Sequence, residues 1–229
     1  MAAGRPDALQ LSAGQARELQ RRQGPKPALV LRSDVANVYG ARPTSTPFSV
    51  LTGDPVAQAV RLDAACVVVN ILLIEGQPDL HRQCIENVAL LREQCVRFGM
   101  PLMVEPLAMT PRDDGGGYAT NGDTDTIVAL VRQAVEMGAD VIKSDPTANL
   151  DEYRQVVEAA GGRPVLVRGG GKVAPGVVAQ RAIRLLKQGA SGVVYGRNVF
   201  QDSDPSRFTA ELMRIVHGVP NQDSRPRSG

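Results

Sequence analysis

A chain of 229 residues with 26 basic and 24 acidic side chains has a net charge of only +2, and its basic residues are spread along the sequence. This balance argues against a nucleic-acid-binding surface, and no apolar run is long enough for a signal peptide or a membrane span. With four Phe, four Tyr and no Trp, the core must be aliphatic, as it is in parallel sheets and barrel interiors. We therefore expect a soluble, cytoplasmic protein without nucleic-acid or membrane partners.

Short apolar runs alternate with longer amphipathic stretches along the chain, a pattern typical of repeated βα units. Residues 7–23 are predicted to form a helix that precedes the first of these runs. The predicted strands are 28–32, 64–71, 101–104, 140–143, 164–167 and 192–195, and the predicted helices are 55–62, 79–98, 124–137, 150–160, 175–188 and 205–216. Because the strands are almost wholly apolar, we expect a parallel sheet with helical cover and with both of its faces buried.

The element order predicts an α/β fold of the TIM (β/α)8 type, a parallel barrel in which only six strands are recognisable from the sequence. We divide the chain into an N-terminal helical segment at 1–27, a barrel domain at 28–218 and a polar, disordered tail at 219–229. No CxxC spacing occurs among the cysteines, which are Cys66, Cys84 and Cys95. We expect these cysteines to be reduced thiols.

Polar side chains recur at the carboxyl ends of the predicted strands. They are Asp34, Asn70, Glu105, Lys143, Arg168 and Arg197. In a parallel barrel the carboxyl ends of the strands meet at one edge, and the loops at that edge carry the catalytic residues. The pattern therefore predicts an active site at this edge.

Lys143 stands at the end of an apolar strand within GADVIKSD. Loss of solvation at such a position lowers the pKa of an ammonium group and frees the amine to attack a carbonyl. A structural lysine paired with Asp145 or Glu105 is the alternative. Glu105, at the end of the neighbouring strand, is correspondingly either a proton shuttle in carbon–carbon cleavage or the ionic partner of Lys143.

Two glycine-containing turns follow the last two predicted strands. Gly169-Gly170-Gly171-Lys172 precedes one helix, and Gly196-Arg197-Asn198 stands in the same place after the next strand. Glycines there let a phosphate approach the backbone N–H groups, and paired phosphate loops at this position recur in barrels. Turn glycines without a ligand are the alternative.

The polar segment 110–123 contains four glycines and is either a lid over the mouth of the barrel or a mobile surface loop. His81 and His217 fall on predicted helices, away from the strand ends. No cluster of His, Cys, Asp or Glu has metal-ligand spacing, so we expect neither a metal nor another cofactor.

Three segments, GADVIKSDPT, RPVLVRGGGK and GASGVVYGRNVFQ, together resemble the archaeal-type class I fructose-bisphosphate aldolase family. The resemblance implies the Schiff-base role for Lys143. It also implies that phosphate is bound by Gly169, Gly170, Gly196 and Arg197. Arg168 stands where that family usually has serine and could add a charged grip on phosphate.

The sequence departs from the family pattern at several places. Leu107 occupies the position of an acid–base tyrosine, and Glu105 could have taken over the proton transfer. Ala28–Arg32 resembles the third strand of the family barrel, so the first two strands lack a counterpart and Asp34 is a possible substitute carboxylate. Either the chain is shortened at its N-terminus, or segments such as Pro47–Leu51 complete the sheet. Unpaired edges would need cover from the N-terminal helix or a partner chain.

The resemblance implies a class I aldolase that cleaves or forms a C–C bond in a phosphorylated ketose such as fructose 1,6-bisphosphate, as a homo-oligomer. A lysine-dependent enzyme of the thiolase or transaldolase kind, acting on a related phosphate, would use the same residues. A non-catalytic truncated barrel that binds sugar phosphates is the third possibility.

Overall fold

The computed structural model describes residues 2–39, 42–112, 117–171 and 173–218. Its strands are β1 (Ala8–Leu11), β2 (Ala28–Arg32), β3 (Asp34–Ala36), β4 (Ser49–Leu51), β5 (Ala64–Ile74), β6 (Leu102–Pro111), β7 (Tyr118–Thr120), β8 (Val141–Ser144), β9 (Val165–Arg168) and β10 (Gly192–Val194). Its helices are α1 (Ala13–Gln20), α2 (Pro55–Arg61), α3 (Pro78–Phe98), α4 (Thr124–Glu136), α5 (Tyr153–Ala159), α6 (Pro175–Lys187), α7 (Arg197–Phe200) and α8 (Pro205–Gly218). Short 3₁₀ turns lie at Ala2–Gly4 and Leu150–Glu152.

Seven strands form one parallel sheet in the order β1-β2-β5-β6-β8-β9-β10. The sheet is curled into a half-barrel, and the fold is α/β of the barrel type, as the sequence predicts. Strand β7 pairs antiparallel with the end of β6. All the parallel strands point the same way, so their carboxyl ends meet at one edge of the sheet.

Strand β1 corrects the prediction of a single helix over residues 7–23. Ala8–Leu11 pairs in parallel with β2, from Ala8 opposite Ala28 to Leu11 opposite Leu31. The helix α1 begins only after Ser12. A run of four residues is too short for periodicity to separate strand from helix, and the hydrogen bonds offered by β2 decide the outcome. The sheet therefore has one parallel strand more than the six predicted.

The segment Pro47–Leu51 does not complete the main sheet. Its residues Ser49–Leu51 pair antiparallel with Asp34–Ala36 in a separate two-stranded sheet. This hairpin lies directly after β2, at the carboxyl edge of the barrel sheet, and so adds to the wall of the candidate site.

Strands β5 and β6 run beyond their predicted ends, with Val67 opposite Leu102 and Ile74 opposite Met109. Part of the segment expected to be a lid or a loop is therefore regular structure, because β7 turns back on β6. Residues 113–116 of that segment lie outside the described residues, as do Lys172 and the tail at 219–229.

The core is aliphatic, as the composition predicts. Its largest cluster lies between the sheet and the helices, and a second cluster fills the space under the extension of β5 and β6. Helix α3 ends at Gly99, whose φ of 64° is the left-handed conformation that glycine adopts easily. The three cysteines are buried free thiols. None of the helices in the described ranges is long and apolar enough to cross a membrane.

Candidate active site

The carboxyl edge of the sheet carries a buried cluster of charged and polar side chains. Its members come from successive strands or follow them directly: Gln10, Arg32, Asp34, Asn70, Glu105, Lys143, Asp145 and Arg168. Parallel pairing brings these side chains together, and Asn70 stands opposite Glu105 in the register of β5 and β6. Of the side chains singled out from the strand ends, Asp34, Asn70, Glu105, Lys143 and Arg168 lie in this cluster, and their roles stay predictions.

Lys143 is 6% exposed, and its Nζ atom lies 2.9 Å from Glu105 Oε1. The ammonium group also donates a hydrogen bond of 2.9 Å to Gln10 Oε1. Burial lowers the pKa of Lys143, and although Glu105 opposes this effect, the nearby guanidinium groups of Arg32 and Arg168 add to it. The site therefore favours a neutral amine more than water does, and a neutral amine is the form that attacks a carbonyl.

Glu105 is surrounded by cations. Its carboxylate pairs with Lys143 and with Arg32, and Arg168 Nε lies 3.7 Å away. Burial alone would raise the pKa of Glu105, but Lys143, Arg32 and Arg168 outweigh burial and lower this pKa to about 2. Glu105 is therefore ionised at neutral pH and is the ionic partner of Lys143, one of the two alternatives left by the sequence.

Asp34 is linked to Lys143 through Arg32 and Glu105. Its Oδ2 atom accepts hydrogen bonds of 2.8 Å from both Ser49 Oγ and Asn70 Nδ2, and its Oδ1 atom lies 3.0 Å from Arg32. These contacts join β2, the β3–β4 hairpin and β5. Through Arg32, Asp34 also orients a cation of Glu105. Its role as a substitute catalytic carboxylate stays a prediction.

Arg168 is drawn into the Lys143 cluster. Its Nη1 atom lies 2.9 Å from Asp145 Oδ1; Asp145 is buried and Arg168 is partly buried. Burial raises the pKa of Asp145 to about 7, although Arg168 opposes the shift. Arg168 is thus shared between two carboxylates, those of Asp145 and Glu105, at the end of β9.

The two glycine turns lie side by side, and Asn198 joins them. Its amide donates to the Gly171 carbonyl and accepts from the Val173 N–H, at 3.2 and 2.9 Å. Gly170 and Gly171 border open space, whereas a Cβ atom on Gly169 would come within 2.8 Å of the Tyr195 ring. The N–H of Gly169 also donates to Val194.

Gly196 lies in the turn before α7, and Arg197, the first residue of that helix, is exposed. Leu107 is fully buried in the second apolar cluster, where it packs with Val38 and Leu72. An apolar side chain therefore occupies this position on β6, two residues beyond Glu105. Among the described residues, no group of three or more His, Cys, Asp and Glu side chains is arranged to hold a metal ion.

Sequence reasoning missed Gln10, Arg32 and Tyr39. Gln10 was hidden by the wrong helix prediction for residues 7–23. Arg32 ends an apolar strand in the same way as the residues that were singled out, so that signal could have found it. The hydroxyl of Tyr39 reaches the site from the loop after β3 and donates to Asn70 Oδ1 at 3.0 Å. No local pattern indicates such a contact.

Residues 1–202 match the model of the family described as DeoC/LacD family aldolase. The chain is 30% identical over 197 residues to the class 1 fructose-bisphosphate aldolase of Thermoproteus tenax, covering 85% of this chain and 70% of the relative. It is 33% identical over 199 residues to a 3-hydroxy-5-phosphonooxypentane-2,4-dione thiolase of Yersinia pestis, covering 85% and 62%.

A similar solved structure is an archaeal fructose-1,6-bisphosphate aldolase whose catalytic lysine is covalently bound to the carbinolamine intermediate. The TM-score is 0.76 at 27% identity, and the match covers 94% of this chain and 80% of that chain.

Proposed function

Because the chain belongs to the DeoC/LacD aldolase family, we propose that it is a Schiff-base aldolase, acting on a phosphorylated ketose such as fructose 1,6-bisphosphate, with Lys143 as the nucleophile. The observation that carries this proposal is the buried Lys143, held between Glu105 and Gln10 at the carboxyl edge of the sheet. A lysine in such a setting has the lowered pKa that attack on a carbonyl requires.

In the first step Glu105, at 2.9 Å, takes a proton from the Lys143 ammonium group, and the neutral amine attacks the ketone carbon. A second proton moves from the nitrogen to the ketone oxygen through a water molecule and gives the carbinolamine. The carbinolamine hydroxyl takes the proton held by Glu105 and leaves as water, and the nitrogen becomes an iminium. The positive charge of the iminium makes it an electron sink, so the proposed bond cleavage requires no metal.

In the second step the bond between C3 and C4 breaks, and its electrons move towards the iminium to give an enamine. The C4 hydroxyl loses its proton and becomes an aldehyde. Glu105, or a water molecule that it orients, receives this proton in the proposal. Arg32 and Arg168 stabilise the Glu105 carboxylate before it takes up a proton and after it has released that proton.

The phosphate of the substrate is proposed to bind at the two glycine turns, through Gly169, Gly170, Gly196 and Arg197, with Arg168 beside them. The open space at Gly170 and the exposure of Arg197 support this assignment. Binding of the remote phosphate orients the reacting carbons over Lys143 and so contributes to the rate.

Borohydride trapping tests the proposal. The protein is incubated with dihydroxyacetone phosphate, reduced and digested, and the adduct is located by peptide mass spectrometry. We expect the adduct on the peptide that contains Lys143, and we expect it to disappear in Lys143→Ala. Lys187→Ala is the matched control, because Lys187 is exposed at the end of α6. An adduct that survives in Lys143→Ala would refute the assignment.

The similarity to a thiolase favours a second candidate, lysine-dependent acyl transfer from a phosphorylated diketone. The same lysine and phosphate turns would serve both reactions, and only the bond that breaks differs. Product analysis after incubation with fructose 1,6-bisphosphate separates them, because only the aldolase releases two triose phosphates.

We also propose that the enzyme lies in the cytoplasm and forms a homo-oligomer, because its sequence resembles those of ring-forming aldolases. Light scattering of the purified protein checks the assembly, and a monomeric mass would contradict it.

A further inference from the structure

A tyrosine hydroxyl contacts the cluster at the carboxyl edge of the sheet through Asn70. Tyr39 follows β3, and its Oη atom donates a 3.0 Å hydrogen bond to the side-chain carbonyl of Asn70. Asn70 is 1% exposed and stands opposite Glu105 in the sheet register, whereas Tyr39 is 54% exposed. Asn70 therefore links the hydroxyl to the strand position beside Glu105, while much of the Tyr39 side chain is exposed.

Before substrate binds, the carboxylate that contacts the lysine holds no proton to give. Glu105 is held ionised by Arg32, Lys143 and Arg168. Asp34 accepts hydrogen bonds from Ser49 and Asn70 on one oxygen and contacts Arg32 with the other. Formation of a carbon–carbon bond places negative charge on the oxygen of the aldehyde, and this oxygen needs a proton donor.

We propose that Tyr39 is a further catalytic residue, whose hydroxyl gives its proton to the aldehyde oxygen when the carbon–carbon bond forms. The inference rests on the Schiff-base aldolase function proposed above, and it assigns the proton of the C4 oxygen to Tyr39 in place of Glu105. The enamine carbon bonds to the aldehyde carbon, the π electrons of the carbonyl move onto oxygen, and that oxygen takes the hydrogen of Tyr39. The phenolate regains a proton from solvent, and in the cleavage direction the same transfer runs backward.

The surroundings of Tyr39 suit this role in two ways. Burial of its hydroxyl end and the negative charge of Glu105 raise the pKa of Tyr39, which keeps the proton in place at neutral pH. The guanidinium groups of Arg32 and Arg168 lie near enough to favour the phenolate while it lasts. Asn70 holds the hydroxyl oxygen in place, and the hydrogen turns from Asn70 to the aldehyde oxygen once the substrate is bound.

The variant Tyr39→Phe tests the inference, with Tyr118→Phe as the matched control. Tyr118 is a partly buried tyrosine of β7 that packs on the second apolar cluster. Condensation of dihydroxyacetone phosphate with glyceraldehyde 3-phosphate is measured beside borohydride trapping on Lys143. For Tyr39→Phe we expect kcat to fall on the order of 10²-fold, with KM little changed and trapping retained. Tyr118→Phe should match the parent protein in both assays.

A second measurement distinguishes proton donation by Tyr39 from a purely structural role, in which Tyr39 only hydrogen-bonds Asn70. Site-specific replacement of Tyr39 by difluorotyrosine, a more acidic phenol, should move the alkaline limb of the pH–rate profile to lower pH. The same replacement at position 118 should not move it. An unmoved limb, or unchanged turnover in Tyr39→Phe, would overturn the inference while trapping on Lys143 leaves the aldolase function standing. Equal loss of trapping and turnover would also overturn it, and absence of trapping in the parent protein would overturn both proposals.

Discussion

Three cations around Glu105 decide how this carboxylate can act. Lys143, Arg32 and Arg168 approach it from three different strands, so no single strand determines its state. The predicted strand ends were sufficient to single out Lys143 and Glu105, although Glu105 lies inside β6, which continues to Pro111. Their environment was not predicted, because Gln10 and Arg32 become neighbours of Lys143 and Glu105 only through the parallel pairing of distant segments.

At the same scale, Asp145 should make the stability of the protein depend on pH. Its carboxyl is 1% exposed, and its pKa is raised from 3.8 to about 7. The folded state therefore binds this proton more tightly than the unfolded state, and the contribution of Asp145 to the free energy of unfolding falls as pH rises from about 4 to 7. Asp145→Asn removes this contribution. We expect its stability relative to the parent to rise over that range, by a few kcal/mol at most.

Urea unfolding followed by circular dichroism at several pH values between 4 and 8 checks this expectation. Asp151→Asn is the matched control, because Asp151 lies 2.9 Å from Arg184 in an ion pair of the same length at the surface. This control should change the free energy of unfolding by less than about 1 kcal/mol. A constant difference between Asp145→Asn and the parent at every pH would contradict the assignment.

At the scale of elements, the six strands and six helices predicted from residue 28 onward are present in the predicted order. Their aliphatic runs and caps are local signals, such as Gly99 at the end of α3. Strand β1 and the β3–β4 hairpin could not be predicted from local sequence patterns. Both consist of three or four residues that are strands because a neighbouring strand pairs with them. The hairpin nonetheless forms part of the site, since Ser49 on β4 anchors Asp34.

The turn after β9 allows the phosphate prediction to be tested residue by residue. A Cβ atom on Gly169 would lie 2.8 Å from the Tyr195 ring, whereas nothing lies within 4 Å of one on Gly170. We expect Gly169→Ala to lower the free energy of unfolding by about 1–3 kcal/mol through overpacking. Gly170→Ala should leave stability almost unchanged and weaken binding of inorganic phosphate, because its methyl group takes space proposed for the anion.

Calorimetric titration with phosphate and thermal unfolding of both variants provide the measurements. Gly169→Ala should change the stability and Gly170→Ala the phosphate affinity, so each variant serves as the control for the other. Full phosphate affinity in Gly170→Ala would remove Gly170 from the proposed phosphate site.

At the scale of the whole molecule, the two ends of the described chain meet. The turn at Ala2–Gly4, which leads into β1, packs against α8, which follows β10. His217 Nε2 on that helix lies 3.1 Å from the Asp7 carboxylate. Within the described residues, β1 and β10 are the outer strands of the parallel sheet. The contact between the turn and α8 therefore ties the two sides of the half-barrel together. Cover of the outer strands by a partner chain, one of the two alternatives from the sequence, stays a prediction.

Gly4 is the position at which this closure can be tested. A Cβ atom there would lie 2.5 Å from both the Ser206 carbonyl oxygen and Thr209 Cβ, so Gly4→Ala must push the turn away from α8. We expect a loss of about 1–3 kcal/mol in the free energy of unfolding, which lowers Tm by roughly 2–4 °C for each kcal/mol in a chain of this size. Gly14→Ala is the control, because Gly14 lies on α1 with open space around it and alanine favours a helix by up to about 1 kcal/mol.

If the turn holds the two sides of the sheet together, Gly4→Ala should also speed hydrogen exchange in β1 and β10, which Gly14→Ala should not do. Unchanged exchange in both strands would show that the sheet keeps its curl without this contact.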